Sequence, residues 1–78
     1  MKYAYTIDYV GITDDSETAT RGIVSRSFPH PMTADDLDRI RIEILGRVRA
    51  DWKKDHPMNR NCPVVMIGIS HVWGGAES

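Results

Sequence analysis

The stretch that decides the fold is residues 29–57, PHPMTADDLDRIRIEILGRVRADWKKDHP. Pro29 and Pro31 fix φ and lack amide donors, so any strand arriving there must end and the chain must turn. Thr33 then stands where an N-cap belongs, and Asp36 is placed three residues on to reach back to its amide. Met32 and Leu37 bracket that cap as a hydrophobic staple. At ~100° per residue, Leu37, Ile40, Ile44, Leu45, Val48 and Trp52 gather on one stripe, while Asp35, Arg39, Glu43, Gly46, Ala50 and Lys53 lie away from it. The pattern predicts one long helix over about residues 34–55. Lys53, Lys54 and His56 suit the negative end of its dipole, and Pro57 stops it.

On the N-terminal side, Tyr3, Tyr5, Ile7 and Tyr9 alternate with Ala4, Thr6, Asp8 and Val10, the period of a half-buried strand over about residues 2–10. Gly11 and the cluster Thr13-Asp14-Asp15-Ser16-Glu17 carry turn chemistry. A second strand follows over about 18–28, with Ile23, Val24 and Phe28 as its apolar members, so the first two strands read as a hairpin with a long acidic loop. On the C-terminal side, Val64-Val65-Met66-Ile67-Gly68-Ile69 is uncharged, β-branched and short, which marks a third strand over about 64–73. Residues 74–78 read as a frayed tail.

The order ββαβ predicts a single α+β domain over residues 1–78, a three-stranded, mainly antiparallel sheet with the long helix packed on one face. A helix joining strands two and three makes those two parallel and the crossover right-handed. Sheet order is then 2-1-3, the preferred arrangement, or 1-2-3, and strand three is an edge in both. That conflicts with its composition, because an apolar edge with unpaired backbone groups is an aggregation hazard that only Pro63 and Gly68 relieve. One helical stripe also cannot bury the three tyrosines, Trp73 and the alternate residues of strand three. The expectation is a symmetric homodimer through the strand-three edge or the open sheet face, with Tyr3, Tyr5, Tyr9, Arg41, Met66 and Trp73 as candidate partner or dimer contacts. Arg41 is included because its helical angle sets it beside the apolar stripe, where it must snorkel, pair with an acid such as Asp8, or face a partner.

Composition narrows the function classes. The 78 residues are 41% apolar and 27% charged, as in a compact folded domain, and ten basic against eleven acidic residues leave a net charge of −1 with no global field for nucleic acid or anionic lipid. Cys62 is the single cysteine, and no run approaches the ~20 apolar residues of a membrane span, so a cytoplasmic protein without membrane association is expected. His56, Cys62 and His71 lack the close ligand pairs that zinc motifs use, and the acidic loop lacks the alternation and central glycine of a calcium loop. No glycine-rich phosphate element is present. We therefore expect no catalytic residues, metal or cofactor, and a non-catalytic protein-binding or regulatory module that acts by contact. Two alternatives accompany it: a phage or mobile-element accessory protein that inhibits a host complex, and a nucleic-acid binder that uses the sheet tyrosines and the helix arginines.

Overall fold

A computed structural model describes residues 2–58 and 61–77. Its elements are β1 (Lys2–Thr13), β2 (Thr18–Phe28), α1 (Ala34–Asp55) and β3 (Val64–Glu77). The sheet order is β2-β1-β3, with β1 antiparallel to both neighbours and β3 at an edge. This is the α+β, ββαβ arrangement expected from the sequence.

Each helix signal acts as its chemistry requires. The Thr33 hydroxyl accepts from the Asp36 amide at 3.1 Å, and the Thr33 amide donates to Asp36 Oδ2 at 3.1 Å, closing the capping box. At the other end the His56 amide donates to the Trp52 carbonyl at 3.0 Å, and the two rings stack with centroids 4.3 Å apart. Between these ends Ile40 and Ile44 are buried, and Leu37, Leu45, Val48 and Trp52 pack around them. Opposite them the sheet contributes Ile7, Val24, Val64 and Ile67, with Cys62 buried beside them in the approach to β3.

Two expectations are corrected. β1 runs on to Thr13, because Gly11 and Ile12 pair with β2 on one side, and Gly11, Ile12 and Thr13 pair with Ile67, Met66 and Val64 on the other. The chain beyond Trp73 is no frayed tail: Gly74, Gly75, Ala76 and Glu77 pair with Tyr5, Ala4, Tyr3 and Lys2, which extends β3 to Glu77. Ser78, the last residue of that expected tail, lies outside the described residues. The turn chemistry of Gly74 and Gly75 is absorbed inside the strand. Gly74 has φ +120°, and a Cβ there would collide with the Ala4 carbonyl oxygen, so only glycine lets the two backbones approach this closely.

Strand β3 also departs from simple alternation. Its register against β1 shifts twice, at Ser70 and at Val65, each an extra residue unmatched on the partner strand. The two bulges reset which residues point inward. Val64, Ile67, Ile69 and Val72 all pack toward α1, and Met66, Gly68, His71 and Trp73 take the opposite face. Without them the sheet's period of two would put Val64 and Ile67 on opposite sides.

Candidate interaction surface

The three tyrosines alternate with the sheet's open face and lie on the side that α1 covers. The Tyr5 hydroxyl accepts from the Met32 amide at 3.0 Å, and its ring sits 6.2 Å from that of Phe28. Tyr9 lies directly over Gly22, where any Cβ would strike its ring, and packs against the core. Tyr3 is half-buried opposite Phe28. Trp73 and His71 stand on the open face with ring centroids 4.9 Å apart, and Met66 lies at the edge of that face. The sequence-proposed contacts thus divide between two faces of the sheet.

Arg41 pairs with Asp38 at 3.6 Å, one turn back on the same helix, and not with Asp8. Asp8 belongs to the open face, between Ile23 of β2 and His71 of β3. On the opposite flank of α1, Glu43 receives Arg26 of β2 at 2.7 Å and ties the helix to that side of the sheet. Among the described residues the flank that carries Arg41 has no such strap. There Arg41, Ile42 and Leu45 form a shallow groove of about 190 Å³ with Val65, Met66 and Ile67 of β3.

This groove collects side chains that water does not favour. Ile42 is 71% exposed, Val65 46% and Met66 51%, beside an edge strand whose outer backbone groups have no strand partner among the described residues. The sequence points to Met66 and Arg41; Ile42 and Val65 go unnoticed there. Ile42 had a signal, being an isoleucine well off the helix's apolar stripe. Val65 had none, since its exposure follows from the bulge. Elsewhere on the open face Ile23 is 64% and Trp73 44% exposed, separated by Asp8.

Two other hollows flank α1. One, of about 520 Å³, lies among Gly46, Arg49, Ala50, Lys53, Asn61 and Cys62; the other, of about 290 Å³, includes Tyr9, Asp51, Trp52 and Asp55. Cys62 is buried and lines the first together with Arg49 and Lys53, with neither a carboxylate nor an imidazole among the described lining residues. Among the described residues no group of three or more His, Cys, Asp or Glu side chains could hold a metal ion, and no helix is long and apolar enough to cross a membrane. At the start of α1 the Thr33 backbone amide, through its hydrogen bond, holds the Asp36 carboxyl below its ordinary range, an effect of the cap. No family model, curated protein or solved structure matches this chain.

Proposed function

We propose that the protein acts by contact rather than by catalysis, as a small protein-binding module that self-associates as a homodimer. The observation that carries this reading is the band of exposed Ile42, Val65 and Met66 along an unpaired strand edge. An apolar edge is normally blunted by charge or proline, and one left bare is suited to pairing with another chain. Exposed apolar side chains clustered in one place mark an interaction surface more strongly than the same residues scattered.

The test is the solution mass followed by analytical ultracentrifugation across a dilution series. A species of twice the 8.8 kDa chain mass at tens of micromolar, dissociating on dilution, is expected. A monomer mass throughout that range would remove self-association.

A further inference from the structure

We infer that two copies join about a two-fold axis at the β3 edge, β3 antiparallel to its copy and the two α1 helices antiparallel alongside, with Asp38 of each chain facing Arg49 of the other. This rests on the self-association proposed above and adds its surface and its register.

The sheet offers two apolar places, and charge separates them. Covering the open face would bury Asp8 at the middle of the central strand, and an ionised carboxylate removed from water is costly. The β3 edge carries no such residue at its groove end: Val64 to Gly68 are all uncharged. Antiparallel addition there satisfies backbone donors and acceptors on both strands. An axis perpendicular to the sheet keeps both helices on the same face, each beside the other's groove.

The flank of α1 that meets this axis is self-complementary. Asp38, Ile42, Leu45 and Arg49 follow spacings of four, three and four, which set them in one row along the helix. Turned about a point between residues 43 and 44, that row places Asp38 on Arg49, Ile42 on Leu45, and Arg41 on Gly46 of the second copy. An isologous interface needs this kind of match, acid to base and apolar to apolar from one patch on both chains. A parallel arrangement would oppose Asp38 to Asp38. Gly46 supports the same geometry: it sits exposed in mid-helix with nothing within 4 Å of its Cβ position, at a cost of about 1 kcal/mol relative to alanine that no contact among the described residues explains.

Charge reversal tests the register. Asp38→Arg and Arg49→Asp, both exposed and checked for helix content by circular dichroism, should each raise the dimer dissociation constant about tenfold or more, and the double variant in one chain should restore it. If both single variants dimerise like the parent, or if the double variant fails to recover, the proposed register is overturned while self-association stands. A parent protein that is monomeric overturns both. A second measurement needs no variant: the outward-facing amides of residues 64–68 should exchange slowly under conditions where the mass is dimeric, and fast exchange there would exclude the edge as the interface.

Discussion

Asp36 takes part in the cap twice, its carboxylate accepting from the Thr33 amide and its backbone amide donating to the Thr33 hydroxyl. The hydrogen bond from the Thr33 backbone lowers its pKa from the ordinary 3.8, with smaller favourable contributions from His30 and Arg39. A carboxyl whose folded pKa is depressed stabilises the fold above its unfolded pKa, and that stability is lost as the pH falls through the folded value. Thermal melts of the parent and of Asp36→Asn should therefore differ at neutral pH and converge in acid, as the pH falls through the lowered folded value. A difference that persists unchanged in acid would show that the carboxylate charge is not what the cap uses. Thr33 and Asp36 are local signals three residues apart, so sequence reading reaches them fully. Arg41 was not legible in that way, because Asp8 and Asp38 were both available as partners and only the side of the sheet on which Asp8 lies decided for Asp38.

At the scale of elements, α1 and the hairpin follow from periodicity, and β3 does not. Its C-terminal third looks like a disordered end because glycine is rich there, yet it pairs along the first four residues of β1. Removing residues 74–78 should destabilise the fold by at least 1 kcal/mol, a fall in thermal midpoint of about 4–8 °C for a domain of this size. An unchanged midpoint would show that this pairing contributes nothing. The bulges at Val65 and Ser70 are a second case. They let four apolar residues at irregular spacing share one face, a solution that depends on the strand opposite and leaves no mark in the β3 sequence alone.

At the scale of the whole molecule, strands of eleven to fourteen residues and a 22-residue helix give an extended body of 48 × 22 × 18 Å. Among the described residues seven are buried core, few for that span, which makes stability sensitive to whatever covers the β3 edge. If a second copy does so, folding and association are linked, and the thermal midpoint should rise with protein concentration. A midpoint constant over a hundredfold range would argue for a fold that stands alone. The element order, the capped helix with its buried stripe, the hairpin and the edge position of β3 are legible in the residues alone, because these depend on side-chain period and on turn and capping chemistry within a few residues. Met66 and Arg41, named there as candidate contacts, line the groove. Tertiary pairing was needed to show that the tyrosines lie under the helix while Trp73 faces away, that β3 reaches Glu77, and that Ile42 and Val65 complete the exposed band. Those facts depend on which strand pairs with which and in what register, and register is set by contacts between residues far apart in the chain, such as Thr6 with Trp73.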